Sequence, residues 1–104
     1  MDFLNKIGQQ EAIQLLEQSG KEFISLFQEG QLTVEIYKPH ITDKQMPHDR
    51  DEFYLVISGR GTFTLLEKVT SFKPGDFLYV PAHAAHRFIE FTDDFVTWVF
   101  FISK

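Results

Sequence analysis

The chain has 104 residues, of which 43% are hydrophobic and 12 are Phe, and its 10 basic against 15 acidic residues leave a net charge of -5. That length fits a single domain, residues 1–104, with enough apolar side chain for one core. An acidic chain in which no Lys or Arg cluster interleaves with aromatic residues offers no path for nucleic acid, and zero cysteines exclude disulfides, thiolate catalysis and Cys-based zinc sites. The start, MDFLNKIGQQEA, lacks the basic residues and apolar stretch of a signal peptide. The longest apolar run, from Phe95 to Ile102, falls far short of a membrane span. A cytoplasmic protein with no membrane partner is therefore expected. Small domains bury proportionally less surface than large ones, which makes a homodimer the expected state.

In chain order, residues 5–18 are rich in Gln, Glu, Leu and Ala and predict a short helix within an N-terminal helical segment, 1–20, ended by Gly20. From Lys21 onward short runs of Phe, Ile, Val, Thr and Tyr are separated by Gly, Pro and Asp, which predicts an all-β region over 21–104. Runs 22–28 and 31–38 flank Glu29-Gly30 and read as a hairpin. Residues 39–47 read as a loop. Run 52–58 alternates with Glu52, Tyr54 and Val56 on one face and Phe53, Leu55 and Ile57 on the other, so both faces are largely apolar. Ser58 to Gly61 turns the chain into run 62–67. Lys73-Pro74-Gly75-Asp76 has type II turn chemistry. Strand 77–80, a turn over 81–85, strand 86–91 with His86, Phe88 and Glu90 on one face, a turn at 92–94 and strand 95–102 complete the chain.

The residues that carry chemistry fall in two stretches. In PHDRDEFYLVISGRGTF, His48 is followed after three residues by Glu52 and after six more by Gly59; in PGDFLYVPAHAAHRF, Gly75, Pro81 and His86 are set at intervals of six and five positions. Together these resemble the two halves of the cupin motif, strictly over about residues 46–90. The resemblance implies a small antiparallel β-barrel or jelly roll behind the short helix, with His48, Glu52 and His86 converging on one divalent metal ion. Iron, manganese, nickel, copper and zinc all accept imidazole and carboxylate ligands. The family pattern usually places a further histidine two positions before the first ligand, where this chain has Met46. Met46 reads as apolar wall, with a weak thioether ligand as the alternative.

Other polar residues have plainer readings. His83 and His40 read as solvent-facing turn and loop residues, and Arg60 and Arg87 as surface charges. Asp49 and Asp51 flank His48 and are either acceptors that fix its ring or simply solvated. Tyr54 shares the face of Glu52, and Glu90 that of His86; they are the two candidates for proton transfer, with aromatic wall and an outward strand end as their alternatives. The resemblance implies a metal-dependent enzyme acting on a small organic molecule. Three ligands leave about three open positions on an octahedral ion, which favours a dioxygenase-like reaction over an isomerase or lyase. The alternatives are a non-catalytic barrel that binds a sugar or small acid, and a purely structural protein.

Overall fold

The computed structural model describes residues 6–103; the first residue of the expected helix lies outside them. Helix α1 spans Gln9–Ser19 and ends at Gly20, whose φ of 69° is the left-handed cap expected from the sequence. Eight strands follow: β1 Phe23–Glu29, β2 Leu32–Tyr37, β3 Asp51–Ser58, β4 Gly61–Leu65, β5 Lys68–Phe72, β6 Phe77–Val80, β7 His86–Ile89 and β8 Val96–Ile102. They form a five-stranded sheet in the order β1-β2-β8-β3-β6 and a three-stranded sheet in the order β5-β4-β7, with every described pairing antiparallel. Among the described residues no helix is long and apolar enough to cross a membrane.

Alternation fixes which side chains meet between the sheets. Tyr54 and Val56 of β3 and Val99 and Phe101 of β8 pack against Phe63, Phe72 and Phe88 of the smaller sheet in one continuous core. The opposite face of the larger sheet supplies Leu26, Ile36, Val96 and Trp98 to a second cluster, closed by Ala12 and Leu16 of α1. The two largely apolar faces of β3 follow from this arrangement: one lines the space between the sheets, and the other lies outside. Beyond the reach of α1 that outer face leaves Leu55, Phe77 and Tyr79 exposed, with Phe53 stacked beside the two aromatic rings.

Two expectations need correction. The expected run 62–67 is strand only to Leu65, because the chain reverses at Leu66-Glu67, and β5, a strand outside the expected runs, follows; this turn has no Gly, Pro, Asn or Asp to announce it, and Leu66 itself takes a positive φ of 55°. Strand β7 stops at Ile89, where the sequence suggested residue 91. Glu90 adopts a φ of 53°, which breaks the alternation that would have put its carboxylate beside His86, and it is exposed. Glu90 is therefore not a residue of the site.

Gly59 closes β3 with a φ of 87° where β8 begins, and a Cβ there would lie 2.4 Å from the Cα of Phe95. Gly75 has almost the same φ, 89°, with open space around it. Gly75→Ala should therefore cost only the left-handed strain of about 1–2 kcal/mol. Gly59→Ala adds a collision with backbone that cannot rotate away, for a total of roughly 3–5 kcal/mol. Chemical denaturation of both variants checks the difference, which equal losses would contradict.

Candidate metal centre

His48 lies just before β3, Glu52 is the second residue of β3, and His86 opens β7, so the three come from both sheets. Two links pull the turn before β7 against the start of β3. The His83 N–H donates to the His48 carbonyl at 2.6 Å, and the Ala82 N–H donates to Asp51 Oδ1 at 2.9 Å. Asp51 thus fixes the frame that carries His48, while Asp49 is exposed. His83 takes a φ of 71° and turns its ring to solvent, as expected, and His40, Arg60 and Arg87 are likewise exposed.

One donor atom from each of His48, Glu52 and His86 falls within 4.8 Å of the others. Glu52 has no exposed surface, and its Oε1 lies 3.0 Å from His86 Nε2 and 3.8 Å from His48 Nε2. Despite these distances, neither Nε2 nor either Glu52 oxygen has a hydrogen-bond partner in acceptable geometry. Four converging buried polar atoms without partners are costly in a folded protein and call for a group that satisfies them together. A divalent ion does so. Neighbouring ligands on an ion with bonds of about 2.1 Å sit roughly 3 Å apart, which the Glu52–His86 separation matches. The His86 Nδ1 is 2.9 Å from the Ala84 carbonyl, so the proton sits on Nδ1 in the neutral ring and Nε2 is left with its lone pair toward Glu52.

The electrostatics separate the two imidazoles. Burial holds the His48 pKa below its ordinary value and outweighs the attraction of Glu52. Burial also opposes the charged form of His86, but there Glu52 and the Ala84 carbonyl prevail and the pKa rises. Tyr54, fully buried behind the site, donates from its hydroxyl to Gln45 Oε1 at 2.9 Å. Burial, followed by the charge of Glu52, drives its pKa well above the ordinary phenol value, so it stays protonated and serves as a fixed donor. Of the two sequence candidates for proton transfer, Tyr54 adjoins the triad and Glu90 does not.

The Met46 expectation is also corrected. The residue is 71% exposed, and the neighbouring Gln45 points inward in its place. Gln45 is held by Asp43, a carboxylate with 1% exposure that accepts from the Gln45 N–H and Nε2, the Tyr37 hydroxyl and the Phe88 N–H. Beside the triad opens a cavity of about 470 Å³ whose wall includes Gln45, His48, Glu52, Arg50, Glu35 and Phe101. Burial raises the Glu35 pKa above the carboxylate norm, with Arg50 pulling it down and Glu52 pushing it up. Sequence reasoning missed Asp43, Gln45, Glu35 and Arg50. The last two carried a signal, since Glu35 shares a strand face with Thr33 and Tyr37, and Arg50 falls midway between His48 and Glu52.

The fold and the paired motif halves define a small β-barrel of the cupin class. The chain belongs to the Cupin domain family, whose pattern it matches over residues 29–102. It is 35% identical over 81 residues to an uncharacterized protein of Streptomyces coelicolor, covering 76% of this chain and 77% of that one. Among solved structures it is similar to a candidate mannose-6-phosphate isomerase of Ralstonia eutropha, with 25% identity, a TM-score of 0.61 and coverage of 79% and 83% of the two chains. It is also similar to a chain among solved DMSP lyases, with 28% identity, a TM-score of 0.56 and coverage of 69% of this chain and 37% of that one.

Because Asp43 accepts four hydrogen bonds, Asp43→Ala should strand buried donors of β2 and β7 and release Gln45 and Tyr54. The expected loss is about 3–5 kcal/mol in chemical denaturation. A loss no larger than that of an ordinary surface substitution would contradict this role.

Proposed function

We propose that this protein is a metal-dependent enzyme acting on a small organic molecule bound in the cavity beside His48, Glu52 and His86. The observation that carries the reading is the set of four buried, unpartnered nitrogen and oxygen atoms of those residues. They would hold one divalent ion, which supplies Lewis-acid activation of a bound oxygen donor. The protein supplies everything else. Glu52 provides the negative charge, the Ala84 carbonyl orients the His86 ring, and Tyr54 keeps a neutral hydroxyl beside the Glu52 carboxylate.

A three-residue ligand set leaves positions for substrate and a second small molecule, which is the support for a dioxygenase-like reaction. An isomerase- or lyase-type proton transfer is the second reading, and Glu35 favours it. A cavity carboxylate whose pKa is raised by burial holds its proton more readily than a solvated one and is suited to proton transfer. The similar proteins described as an isomerase and as lyases point the same way. Incubation of the metal-loaded protein with candidate substrates, with oxygen uptake and deuterium exchange from solvent followed in parallel, separates the two.

Protein purified without tag or chelator should contain close to one equivalent of a first-row metal by plasma mass spectrometry, and His86→Ala should contain almost none. Metal uptake needs the neutral His86 ring. The raised His86 pKa favours the protonated ring in the metal-free protein, so affinity should fall, and proton release on binding should grow, as pH drops through that raised value. Metal retained by His86→Ala at the wild-type level, or no uptake of any ion on reconstitution, would overturn the proposal.

A further inference from the structure

Resting on the metal reading above, the geometry points to a substrate class: we infer that the cavity takes a small organic acid whose carboxylate pairs with the Arg50 guanidinium while the rest of the molecule faces the triad.

Arg50 is half-buried on the cavity wall, and its guanidinium lies over the Phe101 ring at 4.4 Å from the centroid. Phe101 in turn meets the His48 ring edge-on at 5.0 Å, so a single aromatic ring separates the guanidinium from a triad member. One of the five N–H donors is spent on the Thr33 hydroxyl at 3.3 Å. No carboxylate among the described residues comes within 4.0 Å of the guanidinium. Glu35 across the cavity attracts Arg50 without contacting it, so a partly desolvated guanidinium packed on an aromatic face, with donors unspent and no carboxylate in contact, is a site for an external carboxylate.

The charge pattern narrows the anion. Glu22, Glu35 and Glu52 line the same cavity against Lys44 and Arg50, an excess of one negative charge when all are ionised. Arg50 attracts an anion locally in either state, and a divalent ion at the triad reverses the net sign and strengthens that attraction. A phosphate dianion would still face Glu22 and Glu35 across a small space, whereas a single carboxylate uses the Arg50 fork with less repulsion. The volume of about 470 Å³ lies toward the small end of ligand sites and suits a compact acid.

The test measures binding of glycolate and lactate, their uncharged amides glycolamide and lactamide, and inorganic phosphate, by calorimetry, to zinc-loaded and chelator-treated protein. Wild type should prefer each acid over its amide by about tenfold to hundredfold, bind phosphate more weakly than the acids, and show a smaller preference of the same sign without zinc. Arg50→Gln should abolish the preference while keeping its zinc. Arg50→Lys, which retains charge and much of the packing on Phe101, should keep part of it and guards against a folding defect. Equal binding of acid and amide, phosphate binding as tight as lactate, undiminished preference in Arg50→Gln, or no binding of any acid would each overturn the inference. Zinc content measured on the same samples reads the metal site separately. An Arg50-dependent preference in protein that takes up no zinc would uphold the anion site and overturn the metal reading.

Discussion

A carboxylate with no exposed surface, that of Glu52, faces the Nε2 atoms of two imidazoles, and the surrounding structure is arranged around the cost of putting it there. An ionised carboxylate removed from water loses several kcal/mol of solvation unless positive charge and hydrogen bonds replace it. Neutral imidazoles cannot supply that charge, and protonating His86 supplies it for one oxygen only. A divalent ion meets the demand of the carboxylate and both ring nitrogens at once, which is why the donor set reads as a binding site and not as a network left incomplete.

Holding three such groups together requires the two sheets to be locked in register, and polar links outside the triad provide the lock. The chain before β7 is tied to the approach to β3 through His83, Ala82 and Asp51. Asp43 ties the long loop to β2 and β7 and fixes Gln45 beneath Tyr54. Aromatic rings fill the space between these links: Phe88 contacts Tyr54, Phe63, Phe72 and Phe95, so a shift of either sheet would disturb several ring contacts together. Rigidity of this kind keeps donors that repel or desolvate one another in fixed positions, as a metal or substrate site requires.

Much of this could be read in the sequence, for identifiable reasons. Alternation in run 52–58 placed Glu52 and Tyr54 on the inward face because β3 is regular until its irregular pairing near Ser58. The intervals from Gly59 and Pro81 placed the triad because turns at those residues end strands at fixed points. Alternation failed at Glu90, where one residue with positive φ ended β7 early. It also gave no help in residues 39–47, which have no repeat. Whether Met46 or its neighbour Gln45 turns inward depends on Asp43 folding back onto Phe88, 45 positions away, a contact no local pattern encodes. Strand β5 was hidden for a similar reason, since its turn is made by Leu66 and Glu67 under tertiary constraint and not by residues that favour turns.

X-ray absorption at the metal edge, on reconstituted wild-type protein beside His48→Ala, reads the ligands of the ion themselves. Coordination by His48, Glu52 and His86 should give two imidazole nitrogens and a carboxylate oxygen around the metal, with the imidazole scattering reduced by half in the variant. A shell without imidazole, or one unchanged by loss of His48, would contradict it.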